Sequence, residues 1–195
     1  GLAAGAMTDS NKIGYVAAFP IPEVIRGINA FAAGVNEVNP EATVEVVWTF
    51  TWFGPEAETQ AANALLEKGA DVLAQHQDST ATGLAAEAAG AKWISYNTAY
   101  GQDSAPEAFV TAPVWDWGPY YVNIVEQIID GTFTTESYWG GMETGLVSLY
   151  DLSSDVPSDT ATLIAEKTEA IIDGTLEVEI VEEEFISNVI GTVNP

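Results

Sequence analysis

KIGYVAAFPIPEVIRGINAFAAGVNEVNPEATVEVVWTF, residues 12–50, decides the fold. It opens on Lys12–Val16, a short apolar run that reads as a strand. Pro22 then begins a stretch to Val38 in which Val24, Ile25, Ile28, Phe31 and Ala32 recur at helical spacing. Asn39-Pro40 stops that helix. Val44–Phe50 follows as a second strand, dense in β-branched and aromatic residues. Strand, helix, strand in one short span is a βαβ unit. It implies parallel strands, with the helix crossing one face in the right-handed sense.

The alternation continues downstream. Pro55–Lys68 reads as a helix with Ala57, Ala61, Leu65 and Leu66 inward and Gly69 at its end. Asp71–Ala74 is a third strand, Thr82–Ala89 a small helix, Lys92–Tyr96 a fourth strand and Ala108–Thr111 a fifth. Pro119–Asp130 carries an apolar stripe of Tyr120, Tyr121, Ile124, Val125, Ile128 and Ile129. Thr135–Leu152 reads as short strand and loop, with Gly140-Gly141 as a tight turn, and Ser158 caps a last helix to Ile172. Residues 175–195 form an acidic tail, either a strand or a frayed end, while Gly1–Met7 reads as the end of a helix. The expected fold is α/β, a parallel sheet flanked by helices. In such sheets ligands bind beyond the carboxyl ends of the strands. Those ends are Ala17–Glu23, Thr49–Pro55, Gln75–Thr80, Asn97–Gln102 and Ala112–Gly118.

Composition narrows the function. Hydrophobic residues make up 47% of the 195, enough for a packed core. Five Lys and Arg face 29 Asp and Glu, a formal net charge of -24. That charge repels nucleic-acid phosphates and anionic membranes alike, so neither is an expected partner. Self-repulsion of this size is relieved by salt, which points to a halophilic surface. The absence of cysteine excludes disulfides and thiolate chemistry.

Catalytic signals are missing. His76 is the only histidine and reads as a loop residue; Asp103, Glu107 and Asp116 read as solvated surface charge. No Gly-x-Gly-x-x-Gly or Walker loop follows a strand. No cofactor or metal is expected, and the chain reads as a non-enzymatic binder of a small molecule. Aromatics occupy the strand ends instead: Phe19 after the first strand, Trp52 and Phe53 after the second, Trp115 and Trp117 after the fifth. Such rings are platforms for a flat ring or a sugar face. One stack is worth about 1–3 kcal/mol, and micromolar binding needs about 8 kcal/mol. Polar contacts from Asp78, Ser79 or Asn97 and a second wall are therefore required. By strand alternation Trp48 and Phe50 share a buried face, and Trp93 is core. Trp52 lies past its strand and is the expected stacking residue.

Ile13–Phe31, Asn39-Pro40, Trp52-Phe53-x-Pro55, Gly69-Ala-Asp-Val72, Gln75-His-x-Asp-Ser79, Pro113-Val-Trp-x-Trp-Gly-Pro-Tyr-Tyr121 and Tyr138-Trp-Gly-Gly141 occur in this order. Together they resemble the basic membrane protein family of solute-binding lipoproteins, over about residues 1–174. The resemblance implies a type I periplasmic-binding-protein fold, with two lobes around a hinged cleft. It implies an extracytoplasmic, cell-surface or periplasmic lipoprotein that binds a purine nucleoside or base and delivers it to an ABC importer. The expected partners are that ligand and the ABC transporter permease. Membrane contact would be only through a lipid anchor absent from this chain. The family's stacking aromatic falls on Trp52 and its ribose-side loop on Asp78 and Ser79. An acidic ribose-binding residue falls on Asn97, and a lysine of nucleoside-binding members on Trp115. An amide and an indole cannot supply those charged contacts, so a free base such as adenine stands beside a nucleoside as ligand. The resemblance also divides the chain. Residues 1–11 are a remnant of an N-terminal lobe and 12–114 the C-terminal lobe. Residues 115–134 are a crossover helix that packs on the missing lobe, 135–174 the return, and 175–195 the tail. A ligand-sensing effector domain and a nucleoside hydrolase are the alternatives.

Overall fold

The computed structural model describes residues 1–191. Six parallel strands form one sheet in the order β5-β4-β3-β1-β2-β8. They are β1 (Lys12–Ala17), β2 (Thr43–Trp48), β3 (Val72–Gln75), β4 (Lys92–Ile94), β5 (Phe109–Thr111) and β8 (Val189–Ile190). A separate antiparallel ribbon pairs β6 (Pro113–Trp115) with β7 (Val147–Leu149). The helices are α1 (Leu2–Met7), α2 (Pro22–Val38), α3 (Pro55–Glu67), α4 (Ala81–Ala89), α5 (Gly101–Ser104), α6 (Gly118–Asp130) and α7 (Ser158–Ile172).

Two cores form, one on each face of the sheet. Ile13, Tyr15, Val44 and Val46 pack with Val24, Ile28, Ala32 and Val35 of α2, where α1 and α7 also contribute. On the other face Val16, Leu73, Trp93 and Phe109 pack with α3 and α4 through Ala61, Leu65, Ala85 and Ala86. Side chains alternate across each strand, so one strand feeds both cores. Trp48 and Trp93 are core residues as expected.

Phe50 departs from expectation: it is exposed, with φ +54. The strand ends at Trp48, and the left-handed turn at Phe50 breaks the alternation that would have buried its ring. The described part of the tail, to residue 191, is tied to the sheet. Val189 and Ile190 pair with Val44 and Glu45 at the sheet edge. Asn29, buried on α2, holds the approach to that strand by donating to the Val181 and Glu184 carbonyls and accepting from the Ile186 amide. Helix α6 buries none of its residues, and Tyr121, Val122, Val125, Ile128 and Ile129 are all exposed.

All five cations are engaged. Arg26, Lys68, Lys92 and Lys167 pair with Glu182, Glu45, Asp155 and Glu37, and Lys12 donates to the Lys68 carbonyl. Four of the 29 carboxylates therefore have a cation; Glu58 is buried on hydrogen bonds, and most of the remaining negative charge is left to solvent.

Candidate functional site at the strand ends

The parallel register brings the carboxyl ends of β1, β2, β3 and β4 side by side, and with them a continuous run of aromatic rings. Phe19 follows β1, and its ring meets Phe50 at 6.2 Å and Trp52 at 5.1 Å, centroid to centroid. Trp52 continues to His76 at 5.9 Å, and His76 lies 4.5 Å from Tyr96. Tyr96 meets Trp115 at 6.4 Å, which meets Trp117 at 6.3 Å. Trp52 is 43% exposed and Trp115 46%, too open for core packing.

The loop after β3 is fixed by buried amides. Gln75 donates to the carbonyls of Gln77 and Ser79 and accepts the Trp93 indole N–H at 3.0 Å. Gln77 donates to the Thr49 hydroxyl at 2.6 Å, and the Asp78 amide donates to the Trp52 carbonyl at 3.0 Å. The loops after β2 and β3 are thus tied together.

Each expected site residue has a definite place. Trp52 and Phe19 are in contact, and Asp78 stands exposed beside Trp52. Ser79 is engaged within the protein: its hydroxyl donates to the buried Glu58 carboxylate and accepts from the Ala81 amide. Glu58 in turn accepts the Gly54 amide at 2.8 Å, which ties the start of α3 to the same loop. Asn97 adopts φ +59, a conformation asparagine tolerates, and bridges to Val114. Trp115 sits on the β6–β7 ribbon at the far end of the aromatic run.

His76 and Tyr96 join the site without having been expected there. His76 Nε2 lies 3.1 Å from the Tyr96 hydroxyl. Burial pushes the His76 pKa below its ordinary 6.5, against the attraction of Glu23 and Asp78. Burial also raises the Tyr96 phenol, opposed by the Asn97 amide. The signal that could have found them is positional: each follows closely on the end of neighbouring strands β3 and β4.

The aromatic run is a shelf, not an enclosed cavity. A hollow of about 300 Å³ lies at the opposite ends of the strands, lined by Lys12, Glu45, Leu65 and Lys68. Both its lysines are committed to internal partners, so it presents no free cation for recognition. The shelf is the better candidate. Among the described residues no three His, Asp or Glu side chains converge as metal ligands would.

Known proteins share this chain's sequence and fold. A Haloferax volcanii protein named as an ABC transporter glucose-binding protein is 44% identical over 178 residues, covering 91% of this chain and 45% of its own length. A purine-binding protein of Brucella abortus is 40% identical over 177 residues, 88% of this chain and 48% of its own. The chain thus spans about half the length of the curated relatives it matches. An ABC transporter solute-binding protein of Conexibacter woesei superposes with a TM-score of 0.75 at 26% identity, covering 92% of this chain and 60% of that one. One from Aeropyrum pernix reaches 0.78 at 15% identity, a likeness of fold, and covers 93% and 63%. The family model of the PnrA-like ABC transporter substrate-binding proteins matches residues 1–182. The chain therefore belongs to the Bmp family of PnrA-like ABC transporter substrate-binding proteins.

Proposed function

We propose that the chain forms the ring-stacking lobe of an extracytoplasmic solute-binding protein that passes a purine base or nucleoside to an ABC importer permease. It acts without catalysis. The observation that carries this reading is the exposed Trp52 ring set in the aromatic run from Phe19 to Tyr96. A flat heterocycle lies on Trp52, which Phe19 backs from behind. Asp78 and Asn97 supply polar contacts at its edge, Trp115 bounds the far side, and Ser79 holds the loop in place.

Pockets for small molecules bury most of the ligand, and a shelf covers one face only. The exposed apolar stripe of α6 and the greater length of the relatives support a second lobe closing from above. A purine is favoured because a flat heterocycle can spread over the contiguous rings from Phe19 through Trp52 to Tyr96. The Brucella relative's name points the same way. Glucose, in the name of the Haloferax relative, is the competing ligand.

The test is quenching of tryptophan fluorescence by adenine, adenosine, guanosine and glucose. A purine response is expected, weakened about 5- to 150-fold by Trp52→Ala, the loss of one stack. A response to glucose alone, or a purine response that Trp52→Ala leaves intact, would refute the reading.

A further inference from the structure

The two ring nitrogens of His76 have different surroundings. Nε2 faces the Tyr96 hydroxyl at 3.1 Å, while Nδ1 is buried with no partner. A neutral imidazole carries one N–H. A proton on Nδ1 would bury an orphan donor, whereas a bare Nδ1 buries only a lone pair. Orphaned N–H groups are the rarer and costlier of the two. The proton therefore belongs on Nε2, donated to the Tyr96 oxygen. Burial favours the neutral ring, so Nδ1 has no second proton to place. The Tyr96 hydroxyl has no other hydrogen-bond partner among the described residues. With Nε2 donating to it, the phenol's own proton cannot go to His76. It is left for an acceptor held on the shelf, where Tyr96 adjoins Trp115.

We propose that Tyr96 is a specificity-determining hydrogen-bond donor of the strand-end site, fixed in that role by the His76 tautomer. It selects heterocycles that carry a ring nitrogen or carbonyl acceptor on the edge facing it. This rests on the purine reading above. It adds a chemical requirement that stacking alone does not impose, since every base has a face but only some edges have an acceptor at a given place.

Because the chain has one histidine, nitrogen NMR of the unliganded protein reads the His76 tautomer without any substitution. Protonated Nε2 is expected, and protonated Nδ1 overturns the proposal. Binding supplies the second measurement, using adenine and its deaza analogues, each with one ring nitrogen replaced by C–H. The parent protein should bind one analogue about fivefold more weakly than adenine. Tyr96→Phe should weaken adenine by a similar factor and abolish that discrimination. Equal binding of every analogue by the parent, or discrimination retained in Tyr96→Phe, overturns the proposal while the purine reading stands. A parent protein that binds no purine takes down both. If Tyr96→Phe does not fold, the tautomer and the parent's own analogue series still decide.

Discussion

Replacing Gln75 by leucine should test how the site is held together. Gln75 is 3% exposed and makes three hydrogen bonds, one from the Trp93 indole and two to the carbonyls of Gln77 and Ser79. Trp93 and Gln77 are fully buried, so their freed groups find no water. Each such orphan costs about 1–3 kcal/mol, while the Ser79 carbonyl, half-buried, can partly rehydrate. Leucine recovers some apolar burial, which leaves a net loss of about 3 kcal/mol. At about 2–4 °C per kcal/mol for a domain of this size, the melting point should fall by about 6–12 °C. Thermal melts followed by far-ultraviolet circular dichroism measure this. Trp93→Phe removes the indole donor, so the double variant should lose less than the two single losses added, by about 1 kcal/mol. A Gln75→Leu protein melting within about 2 °C of the parent would refute the reasoning, because one lost exposed hydrogen bond gives no more than that.

The melting point should rise between low and molar KCl, because 25 or so carboxylates lack a cation and the Debye length falls to about 3 Å; equal melting points would contradict this. Gly83→Ala should destabilise by about 1–3 kcal/mol although alanine favours helix, since its Cβ would stand 2.3 Å from the buried Trp93 ring; a higher melting point would show that the ring gives way. The lowered His76 pKa means that below its ordinary 6.5 the unfolded chain takes up a proton that the folded one refuses. His76 therefore costs no stability above about pH 6.5 and progressively more as pH falls toward its folded value, at up to about 1.4 kcal/mol per pH unit. The difference between parent and His76→Gln in urea titrations from pH 7 to about 5 should show that slope; parallel pH profiles would exclude it.

The parallel sheet was legible because its strands and helices keep separate periods for many residues, from Lys12 through Thr111. The antiparallel pairing of β6 with β7 was not, since Thr135–Leu152 reads only as short strand and loop and its partner Pro113–Trp115 reads as the loop after the fifth strand. For residues 175–195 the sequence leaves a strand and a frayed end both open, and β8 is only two residues of it. Its one trace in the sequence is Asn29, a polar side chain on the buried side of α2 whose purpose appears only once the tail packs against it. Trp52 is exposed, because a tryptophan past the end of a strand has left the alternation that would bury it. Phe50 was misread for the same reason in reverse. The pairing of His76 with Tyr96 depends on two loops leaving neighbouring strands at matched heights, which no single stretch of sequence encodes.

The pairing of β8 with β2 also has a timetable. Until Val189 exists, Val44 and Glu45 at the β2 edge lack the partners they have in the finished sheet and offer a template to any other strand. About 140 residues separate Trp48 from Val189, so at about 5–20 residues per second of synthesis the edge stays open for roughly 7–30 s. The segment that finally covers it carries Glu182, Glu183 and Glu184, like charges that resist stacking between nascent copies. A ribosome paused just before the codons for Val189 and Ile190 would hold the chain with the sheet still unfinished on one side and the core beneath α2 lacking Val189.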